Sequence, residues 1–333
     1  MANLRSQFDL TQSCHVQVPC ELPMPILADI ANRTRENWRG SLLEPEGRGM
    51  KFASFKINGR ETWGVIEGPS AVDIGSVLAP RFPDLKSLIA KNGYSEAQAV
   101  RTSAPHYEIS RISYLPVVPN PSKIFCVGLN YEMHRKETGR SEVAHPTIFT
   151  RFSNTQTGHL TDMLRPRVST DFDFEGELAL IIGKSGRYVA PERAFDYVAG
   201  YACYNDGSVR DWQHHTHQFT LGKNFPKTGS FGPWMVTPDE LPDLGARTII
   251  TRLNGQIMQQ ATIGQMIFDI PTLIEYCSSF NPLECGDVIV TGTPGGVGVK
   301  RNPPVWMKPG DIVEVEIDGI GVLRNRIADE EPS

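Results

Sequence analysis

The stretch DFDFEGELALIIG, residues 171–183, sets Asp171, Asp173, Glu175 and Glu177 alternately with Phe172, Phe174, Gly176 and Leu178. Successive side chains of a strand point to opposite faces, so this alternation puts four carboxylates on one face of a strand that runs on into the apolar segment 178–182. Carboxylates at that spacing repel unless water screens them or a cation neutralises them, and oxygen-only donors suit a hard divalent ion. The alternative is a solvated edge strand whose charges block aggregation.

Outward from this strand the pattern stays mainly β. Residues 1–49 form an N-terminal extension with one helix expected around 28–38. From Met50, MKFASFKI and ETWGVIEG flank Asn58-Gly59 and predict a hairpin, followed by short helices near 85–91 and 95–101. The proline-rich LPVVPNPSK, residues 115–123, marks the boundary between a small N-terminal α/β domain, 50–118, and a larger domain, 119–333. In the larger domain KIFCVGLN, PTIFTRF, GELALIIG, YVAGYACYND, GPWMVT, ARTIITRLNG, GDVIVTG and DIVEVEIDGIGVLRNRI read as strands. A helix follows Pro271, with Leu273, Ile274 and Cys277 as its apolar stripe. TGTPGGVG, residues 291–298, matches no phosphate-binding pattern and reads as a turn that ends a strand.

Composition narrows the function. The chain has 333 residues, 40% of them hydrophobic, enough to bury a sizeable core. Lys and Arg number 33 against 38 Asp and Glu, for a net charge of -5, and no basic block tracks a phosphate backbone, so nucleic acid is not expected as a partner. The polar start, MANLRSQFDLTQSC, lacks the apolar core of a signal peptide, and no apolar run reaches membrane-spanning length, so a cytoplasmic location is expected. The six cysteines have no CxxC spacing and read as reduced thiols.

Several residues could carry chemistry. Glu175 and Glu177 offer two metal ligands, and Asp206, at the end of the strand YACYND, offers a third or else caps the next segment. His134 and Glu137, three apart in NYEMHRKETG, share one helical face as a base and its orienter, or as a plain surface pair. That short helix, ended by Gly139, could close over a pocket as a lid. Lys223, among apolar residues and glycines, could balance the acidic site as a buried ammonium. His214, His215 and His217 read as a surface loop, because no HExxH spacing accompanies them.

In order along the chain, KIFCVGLNYEMHRKE, DFDFEGELALIIGK, YVAGYACYNDGSVRDWQ, LGKNFPKTGSFGPW, LNGQIMQ and GDVIVTGTPGGVG resemble the fumarylacetoacetate hydrolase family over roughly residues 50–327. The resemblance implies a mainly β (α+β) fold, with a C-terminal mixed β-roll or sandwich behind a small N-terminal domain, and a homodimer. It implies a Mg²⁺ or Mn²⁺ ion held by Glu175, Glu177 and Asp206, an active-site Lys223, and a His134–Glu137 dyad on a mobile lid. It also implies that Arg210, Gln213 and Thr293 line the substrate pocket. The chain departs from the family at Phe225-Pro226 and at Thr150-Arg151-Phe152, where Arg151 replaces a lysine and could clamp a substrate carboxylate.

Members of this family act on 2-oxo and 1,3-diketo acids. The resemblance therefore points to metal-dependent hydrolysis of a carbon–carbon bond in an acylpyruvate or fumarylpyruvate, as in the breakdown of aromatic compounds, with water activated by His134 and Glu137. Lys223 and Thr293 are expected to stabilise the oxyanion. The alternatives on the same site are decarboxylation of an oxaloacetate-like acid and isomerisation or dehydration of a 2-oxo acid. A β-rich binding protein with a solvated or structural acidic strand is the reading from another class.

Overall fold

The computed structural model describes residues 50–332. The helix expected around 28–38 and the rest of the 1–49 extension lie outside the described residues. No described helix is long and apolar enough to cross a membrane.

The first hairpin forms where its turn chemistry places it. Phe52–Ile57 and Arg60–Glu67 pair antiparallel with Ile57 opposite Arg60, and Asn58 and Gly59 between them have φ of 51° and 80°. Two successive positive φ values make a type I′ turn, whose twist matches that of the strands it joins. Asn254 and Gly255, at 51° and 78°, close the hairpin of Thr248–Leu253 and Gln256–Thr262 in the same way. Short helices follow at Leu85–Ala90, capped by the Asp84 side chain, and at Tyr94–Val100.

Twelve strands form the larger sheet, whose path runs His106–Glu108, Ser70–Val72, Arg60–Glu67, Phe52–Ile57, Gly229–Val236, Val198–Asn205, Gly176–Ile182, Val288–Val290, Ile124–Gly128 and Thr147–Arg151. Pairing is antiparallel except between Val288–Val290 and Ile124–Gly128, and where Gln156–Thr157 joins Gly229–Val236. Phe52 pairs with Met235, so strands from before and after the proline-rich linker share one sheet. A second sheet of five strands runs Gln256–Thr262, Thr248–Leu253, Ile312–Ile317, Gly321–Asp329 and Met163–Arg165. The fold is thus mainly β, as the strand patterns imply.

Gly176–Ile182 explains why. Its Leu178, Leu180 and Ile182 join a core with Ile249, Val315 and Ile317 of the second sheet and Leu273 and Ile274 of the helix Ile270–Phe280. Its Ala179 and Ile181 enter the opposite core, with Phe52, Trp63, Leu85 and Leu88. Each buried Leu or Ile contributes about 1.5–3 kcal/mol relative to exposure, and an alternating strand serves both layers. All seven residues of this strand are buried between two neighbours, which removes the solvated-edge alternative.

The four-carboxylate face needs correction. The run is broken into Phe172–Asp173, paired with Ser208–Val209, and Gly176–Ile182. Asp171 stays half-exposed and Asp173 is turned to partners of its own, so only Glu175 and Glu177 share the expected face.

Candidate active site

The site forms where adjacent strands of the larger sheet begin and end together. Gly176 pairs with Asn205, and the Asp206 amide donates to the Glu175 carbonyl at 2.8 Å, so Glu175 and Asp206 stand side by side. Glu177 lies two residues along the same strand. The three side chains are buried, and one oxygen from each lies within 4.8 Å of the others.

Three buried cations enclose them. Lys223 ends the short helix Thr220–Lys223, and its Nζ donates to Glu175 Oε2 and Asp206 Oδ2, both at 2.6 Å. Arg210 donates from Nε to Asp173 Oδ2 at 2.8 Å and from Nη1 to Gln213 Oε1 at 2.9 Å. Its Nη2 lies 2.7 Å from Glu175 Oε1, a charge contact outside hydrogen-bonding geometry. Arg151 donates from Nη1 to Asp206 Oδ1 at 2.6 Å and to the Gly207 carbonyl at 3.0 Å, and from Nη2 to Thr228 Oγ1 at 2.8 Å. Arg151 is therefore not the substrate clamp expected of it. Its guanidinium is fully buried behind Asp206, with both terminal nitrogens engaged and only Nε without a partner, and does not line the cavity.

The turn after Val288–Val290 ties the site together through its backbone. Gly292 N–H donates to Glu177 Oε2 at 2.5 Å, Gly296 N–H to Glu137 Oε2 at 2.9 Å, and the Gly298 and Val299 amides to the two Asp173 oxygens at 2.8 and 3.0 Å. What reads in sequence as a plain strand-ending turn is thus a set of carboxylate-binding amides. Gly292 has φ +103°, and a Cβ there would meet the Asn130 Cβ at 2.6 Å, so both conformation and close approach require glycine.

Thr293 lines the cavity as expected, but its hydroxyl donates to the Gly176 carbonyl at 2.9 Å and accepts from Gln259 Nε2 at 2.8 Å. A hydroxyl has one proton to donate, so an oxyanion role for Thr293 would break the Gly176 bond. Gln259 also accepts from the Gly176 amide at 3.0 Å, holding the residue between the two glutamates.

His134 and Glu137 sit on the helix Glu132–Glu137, with His134 Nδ1 2.7 Å from Glu137 Oε1. Nδ1 is engaged, which leaves Nε2 for proton transfer. Asn130 fixes the approach to this helix by donating to the Thr291 and Phe268 carbonyls at 2.8 and 3.0 Å. Leu129 beside it has φ 60°, a left-handed conformation that costs a non-glycine residue roughly 1–2 kcal/mol and lies in the cavity wall.

One cavity of about 260 Å³ receives His134, Glu175, Glu177, Arg210, Gln213, Lys223 and Thr293, with Val127, Phe149 and Phe219 among its apolar lining. It is a small site. The histidine cluster is exposed as expected, although His214 reaches the cavity.

The charges fit a divalent ion. Four buried carboxylates, Asp173, Glu175, Glu177 and Asp206, face Arg151, Arg210 and Lys223, so with all four ionised the interior would carry one excess negative charge. Burial alone would raise the Glu175 carboxyl, but Lys223 and Arg210, with His134 behind them, pull it below its ordinary value. Glu177 has no such cation in contact, and burial followed by the Asp206 and Glu175 charges pushes its carboxyl well up. An all-oxygen set with one unneutralised carboxylate suits Mg²⁺ or Mn²⁺, whose ligands at about 2.0–2.1 Å stand about 3–4 Å apart.

Sequence reasoning missed the roles of Asp173 and Gln259 and the presence of Arg140 and Lys300 in the cavity lining. Asp173 belonged to the alternation but was not singled out. Gln259 is one of two adjacent glutamines, and only its burial separates it from exposed Gln260.

Residues 123–328 match the family model described as the fumarylacetoacetate hydrolase C-terminal domain. The chain is 36% identical over 266 residues to the mitochondrial oxaloacetate tautomerase FAHD2A of Bos taurus, which spans 78% of this chain and 84% of that protein. Among solved structures it resembles the fumarylacetoacetate hydrolase of Exiguobacterium antarcticum, at 33% identity and a TM-score of 0.74, over 84% of this chain and 100% of that one. The maleylpyruvate hydrolase of Sphingobium sp. SYK-6, solved with manganese(II) and pyruvate, is 28% identical with a TM-score of 0.71, over 85% of this chain and 100% of that one.

Proposed function

This chain belongs to the fumarylacetoacetate hydrolase family, and on that premise we propose that it catalyses proton transfer on a 2-oxo acid, interconverting the keto and enol forms of an oxaloacetate-type substrate. The observation that carries this reading is one cavity that holds an oriented imidazole, His134 with Glu137 at 2.7 Å, together with the buried Glu175 and Glu177. The names of the curated relatives support the substrate.

His134 Nε2 takes the proton from C3, and Glu137 at Nδ1 fixes the tautomer and balances the imidazolium. The C3–H bond breaks, the C2 oxygen gains a proton, and no co-reactant is consumed. Arg210 and Gln213 line the wall against which the substrate carboxylate rests, and Lys223 holds Glu175 and Asp206 in place. Glu175, Glu177 and Asp206 would hold a Mg²⁺ or Mn²⁺ ion, which when bound polarises the carbonyl of a chelated 2-oxo acid. Manganese and pyruvate in the maleylpyruvate hydrolase structure support that assignment.

Hydrolysis of an acylpyruvate or fumarylpyruvate is the second reading, favoured by the likeness to maleylpyruvate hydrolase. There His134 would take its proton from water. The two separate in one experiment with Mg²⁺-loaded protein: ultraviolet decay of enol-oxaloacetate, and pyruvate release from oxaloacetate and acylpyruvates. Faster enol decay with no added pyruvate release supports the tautomerase. Pyruvate release from acylpyruvates without an effect on enol decay would replace it with the hydrolase, and release from oxaloacetate would replace it with a decarboxylase.

A further inference from the structure

The cations deep in the cavity are occupied by the protein itself, Lys223 by Glu175 and Asp206, and Arg210 by Asp173 and Glu175. Two cavity-lining cations differ. Arg140 and Lys300 both line the cavity, both are exposed, and neither makes an ion pair among the described residues. They come from separate segments of the chain. Arg140 follows the His134 helix just past Gly139, with its amide on the Arg135 carbonyl at 3.2 Å. Lys300 ends the turn Gly298–Lys300, whose Gly298 and Val299 amides are anchored on Asp173.

We propose that Arg140 and Lys300 form a second anion subsite at the cavity mouth, which binds the distal carboxylate of a 2-oxo diacid and so selects diacids over monoacids. The proposal rests on the 2-oxo acid reading above and names the substrate class for it. His214, which lines the same cavity, reports their joint field. Burial lowers its imidazole, and Arg210, Arg140 and Lys300 lower it further. Unpaired cations at a mouth attract anions by long-range attraction, and an arginine adds a two-pronged grip on a planar carboxylate. Because Arg140 follows the His134 helix and Lys300 ends a separate turn, a distal carboxylate shared between them would tie these two segments together. A monoacid has no group to do this.

The test uses Mg²⁺-loaded full-length protein and two readouts. Calorimetric affinities for 2-oxoglutarate and 2-oxoadipate are compared with those for 2-oxobutyrate and 2-oxovalerate, and exchange of the C3 protons into D₂O is followed by NMR. The unaltered protein should favour diacids, and the double variant Arg140→Met/Lys300→Met should lower the diacid-to-monoacid affinity ratio about tenfold or more, as loss of a charge-assisted hydrogen bond predicts. Single variants should each give part of that loss, and Arg140→Lys should retain more than Arg140→Met. An unchanged ratio, or no measurable binding of either class, overturns the subsite. Diacid preference without C3 exchange would keep the subsite and remove the enolisation reading, whereas exchange without diacid preference would do the reverse.

Discussion

Lys223→Met tests the charge balance on which the candidate site depends. Lys223 Nζ is the only contact of 2.6 Å that joins Glu175 to Asp206 among the described residues, and its removal leaves four buried carboxylates facing Arg151 and Arg210 alone. Breaking a buried ion pair by deleting one partner costs about 3–5 kcal/mol, because the other charge is left desolvated and unpaired. That is a large part of the roughly 5–15 kcal/mol that holds a domain folded. At roughly 2–4 °C per kcal/mol for a large domain, the variant should melt about 6–20 °C below the unaltered protein in EDTA. A divalent ion puts two positive charges among the same carboxylates. Ligand at 100 times its Kd stabilises by about 2.7 kcal/mol, and the variant should gain more than the unaltered protein because its carboxylates have fewer other partners. Scanning calorimetry with EDTA and then with Mn²⁺ measures both. A variant that melts within about 2 °C of the unaltered protein in EDTA, or a gap that Mn²⁺ leaves unchanged, would refute the reasoning.

Three further outcomes are expected. Glu137→Gln should keep the Gly296 contact but lose the charge behind His134, lowering kcat about 10- to 100-fold with Mn²⁺ affinity unchanged by calorimetry; equal losses in both would assign Glu137 a structural role. Gly292→Ala should cost about 1–3 kcal/mol in backbone strain, plus the clash with Asn130, and should weaken Mn²⁺ binding by displacing the amide on Glu177; a urea midpoint and Mn²⁺ affinity equal to those of the unaltered protein would count against that geometry. His159 is held neutral, to about 4, first by burial and then by the Arg324 charge, and its Nδ1 accepts the Arg324 amide at 3.1 Å. Between about pH 6.5 and 4 the unfolded chain binds a proton that the folded one refuses, so stability falls as pH drops through that window and is lost no further below it. The expected share at pH 5 is about 1–2 kcal/mol relative to pH 7. His159→Gln should flatten that fall in urea titrations, and an identical fall in the variant would show that other groups cause it.

Much of the fold was legible because it rests on local rules. Asn58-Gly59 and Asn254-Gly255 supply the positive φ values of a tight turn, and the alternation of 178–182 sends side chains into two cores. The His134–Glu137 spacing follows from one helical turn, and the end of the strand YACYND and the apolar setting of Lys223 offer Asp206 and Lys223 among alternatives that the resemblance to a family narrows. The strand of four carboxylates was only half right. Phe172–Asp173 pairs with Ser208–Val209 instead of continuing into Gly176–Ile182, and a period of two carries no information about where a strand breaks.

The sequence by itself determined the type of chemistry: acidic side chains on alternate residues, an imidazole with a carboxylate three residues on, and a glycine-rich turn after an apolar strand. Only the tertiary structure decided which of these groups face a ligand and which face each other. Arg151 lies 55 residues from Asp206 and Lys223 lies 48 from Glu175, yet each pair is in contact at 2.6 Å. Arg151 is sealed behind its partner, Thr293 directs its proton to a backbone carbonyl, and Arg140 and Lys300 remain open to the cavity. The energy of a charge or a hydroxyl depends on its distance to partners and on its access to water, and both are properties of the folded arrangement that no local spacing encodes.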